Sequence, residues 1–242
     1  MTATGPAPRG ALLGSNCGRD PIVRCATLIN TESVLNVALL DDHPAVLAGL
    51  RRLIEPEPDL TVIAAARSAD DLTRRLDGRR VDVIILDYDL ARGDGLSLCR
   101  RFKSRADAPA VIVYSAYASS ALSLAARAAG ANGVVDKSEP VPALLAAIRA
   151  VARGDTRIPS VPPDAHQAAA ARLDDEDLPI LALLLDGEPV HEIAQALRAD
   201  PSEIAWRRQR IVGRLRPKLR PDPIEQTPTA GRARAALSRS SS

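Results

Sequence analysis

Apolar positions along the chain follow two rhythms in turn. Short runs rich in β-branched residues, Val37–Leu40, Leu60–Ala66, Val81–Leu86, Ala110–Tyr114 and Gly133–Val135, alternate with amphipathic stretches at about 44–55, 69–77, 95–105, 118–129 and 141–153. The runs are nearly continuous in apolar residues, as expected of strands covered on both faces of a parallel sheet, and the stretches between them supply crossover helices. Five such βα units predict an α/β, doubly wound, flavodoxin-like (βα)5 domain over residues 34–153. In such sheets function gathers at the carboxyl ends of the strands, near the point where strand order reverses.

After Leu173 the β-type runs stop. Three helices at about 176–186, 190–198 and 201–216 predict a second, all-α domain over residues 172–216. Gly187 is placed to end the first of these helices. Asp200-Pro201-Ser202-Glu203 opens the third with an N-cap acid, a proline at N1 and a Glu at N3. Pro179 is tolerable only in a first turn, where its missing N–H costs nothing. Residues 154–171, with Pro159, Pro162, Pro163 and an alanine tract, read as a linker. Residues 1–33 read as a disordered extension and residues 217–242, rich in Pro, Thr, Arg and Ser, as a disordered basic tail.

Bulk composition narrows the picture further. The 242 residues carry a net charge of only +2 and are 46% hydrophobic, enough for packed cores. No apolar run approaches the roughly 18–20 residues needed to span a bilayer, and no signal-peptide pattern is present, so the expectation is a cytoplasmic protein without a membrane partner. Cys17, Cys25 and Cys99 show neither disulfide nor metal-ligand spacing and read as reduced thiols. Aromatic residues make up 2% of the chain, which argues against base-stacking platforms for single-stranded nucleic acid. The only lysines are Lys103, Lys137 and Lys218, so a lysine in a chemical position is informative in a chain whose habitual cation is arginine.

Asp41 and Asp42 follow the first strand, Asp87 the third, Ser115 the fourth and Lys137 the fifth. A parallel sheet brings these positions to one edge. Three carboxylates there repel unless a cation neutralises them, and an all-oxygen cluster of this kind suits Mg²⁺. A hydroxyl and an ammonium opposite the metal suit the remaining oxygens of a transferred phosphoryl group, because positioning and charge neutralisation supply most of what phosphoryl transfer needs. A single Asp or Ser after a strand is commonly a loop cap; the joint placement in this order is the informative feature. His43 reads as a loop residue at the rim.

The segments LLDDHPAVLAGLRRLIE, VDVIILDYDLARGDGLSLCRRFK, VIVYSA and AGANGVVDKS resemble the successive signatures of receiver domains in LuxR/NarL-type two-component response regulators. The resemblance covers about residues 36–153. It implies a sensor histidine kinase as partner and Asp87 as phosphoacceptor, with Mg²⁺ held by Asp42, Asp41, Asp87 and the backbone carbonyl of Asp89. Ser115 and Lys137 would contact the phosphoryl oxygens. Two positions depart from the pattern: Ala91 replaces a proline after the acceptor strand, and Val134 stands where the family has a switch aromatic, for which Tyr117 is a possible substitute.

In the second domain charge is divided. Residues 173–192 hold seven acids and no Lys or Arg, whereas residues 198–220 hold eight bases against Asp200 and Glu203. On the third helix Ile204, Ile211 and Leu215 form the apolar stripe, Arg207, Arg210 and Arg214 a basic flank, and Ser202, Trp206, Gln209 and Gly213 the opposite face. A helix of this kind suits a major groove, with the flank on phosphates. The run from Leu173 to Leu215 also resembles the LuxR-type helix-turn-helix, which implies double-stranded DNA as a partner, base contacts from Ala205, Trp206 and Gln209, and homodimers on paired half-sites. Ala205, Arg207 and Pro179 replace the family's usual lysine, histidine and glutamate. Two other functions remain to be weighed. Asp87-Tyr88-Asp89 gives the D-x-D of aspartyl-phosphate hydrolases of the haloacid-dehalogenase type, but it follows the third strand rather than the first. A phosphorylation-independent regulator or protein-interaction module on the same fold is the alternative kept open by Val134 and the atypical third helix.

Overall fold

The computed structural model describes residues 34–91, 94–105 and 107–217. The segments expected to be disordered, residues 1–33 and all of the tail beyond Pro217, lie outside the described residues, as do Cys17 and Cys25.

Five strands, β1 (Leu35–Leu40), β2 (Leu60–Ala66), β3 (Val83–Asp87), β4 (Ala110–Ser115) and β5 (Gly133–Asp136), form one parallel sheet in the order β2-β1-β3-β4-β5. Helices α1 (Pro44–Ile54), α2 (Ala69–Leu76), α3 (Gly95–Lys103), α4 (Ser120–Ala128) and α5 (Val141–Ala152) make the crossovers. Strand side chains point alternately to two cores. Val37, Leu39, Val83, Ile85 and Ile112 pack beneath α1 and α5 against Leu50, Ile54, Leu144 and Ile148. Ala38, Leu40, Ile84, Leu86, Val111 and Val113 face the other way, onto Leu72, Leu96, Phe102 and Leu122 of α2, α3 and α4. Burial on both faces is the physical reason these strands read as unbroken apolar runs.

The second domain consists of α7 (Leu178–Asp186), α8 (Val190–Leu197) and α9 (Pro201–Leu215), preceded by a 3-10 turn at Asp175–Asp177. Pro179 lies in the first turn of α7, and Gly187 ends that helix at φ +92°, a left-handed conformation that glycine adopts without strain. The Asp200 carboxylate caps α9 by accepting from the Ser202 N–H at 2.7 Å. The segment expected as a linker has structure of its own. Arg157 bridges to Gly133 beside β5, with Val134 N–H donating to its carbonyl at 2.9 Å, and Pro163–Ala170 forms α6, burying Ala169. Proline at the start and alanines after it favour this helix, and Ala169 packs in the same core cluster as α4.

The α2–α4 core does not stop at the receiver surface. It continues into Ile180, Leu184, Ile193, Ile204, Ile211 and Leu215 of the second domain, and α4 touches α6, α7 and α9. Among the described residues no helix is long and apolar enough to cross a membrane.

On the opposite side of the sheet, Arg149 of α5 holds Asp59 bidentately, with both nitrogen–oxygen distances at 2.7 Å, and Glu57 at 2.6 Å. The guanidinium bonds outweigh partial desolvation and keep the Asp59 carboxyl below its ordinary value of 3.8. This pair ties the start of β2 to α5, and Arg149→Met is expected to cost about 1–2 kcal/mol at neutral pH, allowing for solvent screening of a partly exposed pair. Because the folded-state pKa is depressed, the stabilisation is present above the ordinary carboxylate range and disappears as pH falls through the lowered value. Urea titrations of both proteins should show the gap closing in acid; a pH-independent gap would assign the effect to packing instead.

Candidate functional site

The carboxyl ends of β1, β3, β4 and β5 meet at one edge of the sheet, which brings Asp41, Asp87, Ser115 and Lys137 together. Asp41, Asp87 and Ser115 are buried to 2–3% exposure. The Lys137 ammonium lies between two of the carboxylates, 2.7 Å from Asp41 Oδ2 and 3.1 Å from Asp87 Oδ1. Burial alone would depress the Lys137 pKa, but the Asp41 hydrogen bond and the Asp87 charge outweigh it, and the net shift is upward. Asp87 is shifted upward by burial and then by the Asp41 charge, against the pull of Lys137 and a backbone hydrogen bond from Asp89. The cluster therefore holds more negative charge than one ammonium compensates.

Asp42 shows where a further cation fits. Its Oδ2 accepts from the Ala91 N–H at 2.8 Å, whereas its Oδ1 is buried and accepts no hydrogen bond. His43 Nδ1 lies 2.7 Å from that oxygen without a hydrogen bond between them. Asp41, Asp42, His43 and Asp87 present ligand atoms all within 4.8 Å of one another. An orphaned carboxylate oxygen beside two buried carboxylates is the donor set of a hard divalent cation such as Mg²⁺. The Asp89 side chain is exposed and stands outside this cluster.

Several residues that shape the site carry no signal that periodicity or strand-end logic detects. Tyr114 lies under the Lys137 ammonium, 5.5 Å from ring centroid to Nζ. Gly95 permits the close approach of α3 to β3: a Cβ there would stand 2.6 Å from the Asp87 carbonyl oxygen and 2.9 Å from Tyr88. Ser115 Oγ accepts from the Tyr117 N–H at 3.1 Å, while Tyr117 itself is 64% exposed and Val134 is buried in the core. The ring of Tyr117 thus does not occupy the interior space of a switch aromatic in this structure.

The basic flank of α9 is arranged differently from a free phosphate grip. Asp177, fully buried, accepts from Arg207 Nε at 2.9 Å and from Arg210 at 2.7–3.1 Å, and Arg214 reaches Asp174 at 2.8 Å. The acidic and basic blocks of the second domain are therefore bonded to each other. Sequence distance hid this, since the partners stand some thirty positions apart. Ala205, Trp206 and Gln209 are exposed, Trp206 at 58% with the Arg210 guanidinium 4.9 Å above its ring. Gln209 accepts from Arg100 of α3 at 3.0 Å, and Arg208 donates to the Ala128 carbonyl at 2.8 Å, so one flank of α9 rests on the receiver.

Comparison with known proteins agrees with this architecture. Residues 37–149 match the family model of the response regulator receiver domain. The chain is 33% identical over 185 residues to the transcriptional regulatory protein UhpA of Salmonella typhimurium, covering 75% of this chain and 92% of that one. It is 28% identical over 193 residues to the response regulator UvrY of Escherichia coli K12, covering 75% and 88%. A solved structure of two RcsB dimers bound to two parallel DNAs superposes with a TM-score of 0.50 at 25% identity, covering 75% of this chain and 91% of that chain. The protein belongs to the LuxR/NarL-type response regulators, with a flavodoxin-like receiver followed by a helical C-terminal domain.

Asp177→Asn tests the charge network of that second domain. It leaves two partly buried guanidiniums without their shared carboxylate and is expected to destabilise the C-terminal helices by about 3 kcal/mol. Helical circular dichroism during urea denaturation measures it; a loss below about 1 kcal/mol would show that Asp174 and solvent replace the missing charge.

Proposed function

We propose that this chain is a phosphorylation-controlled transcription regulator that accepts a phosphoryl group on Asp87 from a sensor histidine kinase and adjusts binding of its C-terminal domain to double-stranded DNA. The observation that carries this reading is the buried Asp87 carboxylate, bridged to Asp41 by Lys137 and set beside the orphaned oxygen of Asp42. Two buried acids and the half-buried Asp42, with one ammonium among them, form a site that gains by binding a divalent cation and then a phosphoryl group.

In the transfer, an Asp87 carboxylate oxygen attacks phosphorus, the oxygen–phosphorus bond forms, and the bond to the donor imidazole nitrogen breaks with that nitrogen keeping the electron pair. Mg²⁺, held by Asp41, Asp42, Asp87 and the Asp89 carbonyl, would supply charge neutralisation for the phosphoryl oxygens. Lys137 pairs with one of those oxygens in place of a carboxylate, and Ser115 donates its hydroxyl to another. The protein is a regulator rather than a metabolic enzyme, and its place is the cytoplasm, where kinase and chromosome meet.

The effector end follows from α9. Trp206, Ala205 and Gln209 offer an outer face for base edges, and Gln209 can donate and accept at adenine once Arg100 releases it. Arg207, Arg210 and Arg214 brace the helix through Asp174 and Asp177, with Arg207 the most enclosed of the three and Arg214 the most exposed. The RcsB structure, with dimers on DNA, supports a homodimer on paired half-sites. Coupling has a direct route here. Tyr88, next to the acceptor, hydrogen-bonds the Pro217 carbonyl at 3.4 Å, and Asp94, the cap of α3, pairs with Arg216 at 2.6 Å. A phosphoryl group on Asp87 alters the β3–α3 loop and loosens the C-terminal end of α9 from the receiver without a switch aromatic.

With acetyl phosphate and Mg²⁺, the wild type should gain one phosphoryl group by intact mass and Asp87→Asn none. Asp42→Asn should weaken Mg²⁺ binding by about tenfold or more, since it removes a metal-directed carboxylate. Labelling of Asp87→Asn at the wild-type level would overturn the acceptor assignment. Labelling that leaves dimerisation and duplex binding unchanged would favour the phosphorylation-independent regulator.

A further inference from the structure

Between the receiver and the second domain lies a cleft of about 1200 Å³, remote in the fold from the acidic edge of the sheet. One wall is cationic: Arg100, Arg101 and Lys103 of α3, Arg127 of α4 and Arg208 of α9 line it. The facing wall, from the α7–α8 turn, presents Leu184, Val190 and His191 with the carboxylates of Asp186 and Glu188. We propose that this cleft binds a nucleotide, with its phosphates on the α3–α4 wall and its base and sugar against the α7–α8 turn.

The charge balance is the first reason. The other arginines of α9 are each paired: Arg207 and Arg210 with Asp177, Arg214 with Asp174. Among the described residues, no ion pair joins Arg100, Arg101, Lys103, Arg127 or Arg208 to a carboxylate. Arg100 Nε is buried without a hydrogen-bond partner, although NH1 of the same group donates to Gln209. Lys103 donates to the Pro109 carbonyl and to Asn132 Oδ1, both neutral acceptors, and Arg208 Nε donates to the neutral Ala128 carbonyl. Burial is the main cause that lowers the pKa of Lys103 and of Arg208; Cys99 opposes it in both, while Arg208 lowers the first further and Arg100 the second, so these cations stand close together with no carboxylate paired to them. A polyanion relieves that repulsion.

The second reason is that the two walls differ. A simple anion needs only the cations. A nucleotide also carries an apolar ring with N–H groups and a sugar with hydroxyls, which match Leu184 and Val190 beside the acceptor oxygens of Asp186 and Glu188. The volume slightly exceeds what small-molecule sites use, roughly 300–1,000 Å³, and leaves room for a ligand larger than phosphate. A ligand spanning both walls would hold the domains in the present arrangement, with Gln209 engaged by Arg100, and would oppose DNA binding whatever the state of Asp87.

The test is calorimetric titration of the full chain with adenosine triphosphate and, separately, with pyrophosphate, in EDTA so that the acidic edge holds no metal. Expected are one-to-one binding of the triphosphate, weaker binding of pyrophosphate, and a loss of roughly tenfold or more in triphosphate affinity for Arg101→Ala/Arg127→Ala. Both of those side chains are exposed, so the double variant should fold as the parent does. Asp87→Asn should bind the triphosphate like the parent, which separates this site from the acceptor chemistry. Absence of saturable binding, or parental affinity in the double variant, would overturn the proposal. Equal affinity for pyrophosphate would reduce the cleft to an anion site. If the double variant loses duplex binding without nucleotide by as large a factor, the cations belong to the DNA surface instead.

Discussion

The ammonium of Lys137 between Asp41 and Asp87 is the contact on which the rest of the receiver edge depends. Parallel strands deliver their carboxyl ends to one side, so β1 and β3 necessarily bring their terminal aspartates together. Without a cation the sheet would close on two buried negative charges, a costly arrangement at low dielectric. Lys137 reaches them because β5 lies on the far side of β4 and its loop folds back across the edge, fixed by the Lys137 N–H to the Ser115 carbonyl at 2.8 Å. A lysine suits this task better than the arginine common elsewhere in the chain, since a compact point charge can sit between two carboxylates or move to a third anion.

The second domain solves the same problem with the opposite sign and a different geometry. There, two guanidiniums converge on one buried carboxylate, and planar forks make the pairing specific. The result is a basic helix held in orientation by the very residues that give it its charge. Arg207 is only 14% exposed and Arg210 29%, so each spends its charge largely on Asp177.

Legibility in the sequence followed the reach of each interaction. Strands and helices were readable because burial on two faces, caps such as Asp200 and terminators such as Gly187 act within a few residues. The acidic edge was readable because strand-end positions converge whenever the sheet is parallel. The partners of Arg207, Arg210 and Arg214 were not, since a charge pattern shows that acids and bases exist but not which ones touch. The α6 helix was hidden by prolines that mark a helix start as readily as a linker, and Tyr88 by sitting in a motif whose neighbouring aspartate draws attention.

The position of α4 ties the two domains into one packed body. Its inner face, with Leu122, Ala125 and Ala126, is part of the receiver core, and that core runs without a break into Ile211, Val212 and Leu215 of α9. Close-packed interfaces of this sort have discrete arrangements rather than a continuum, so a small change at one end is expressed as separation or retention at the other. The polar contacts around that seam, Arg208 to Ala128, Arg100 to Gln209 and Arg216 to Asp94, are each single bonds at its margin. A hydrogen bond of this kind is worth about 1 kcal/mol, so the margin is weakly held beside the apolar seam it surrounds. The seam therefore joins the receiver to the exposed face of α9 by packing within and by weak polar contacts at its margin.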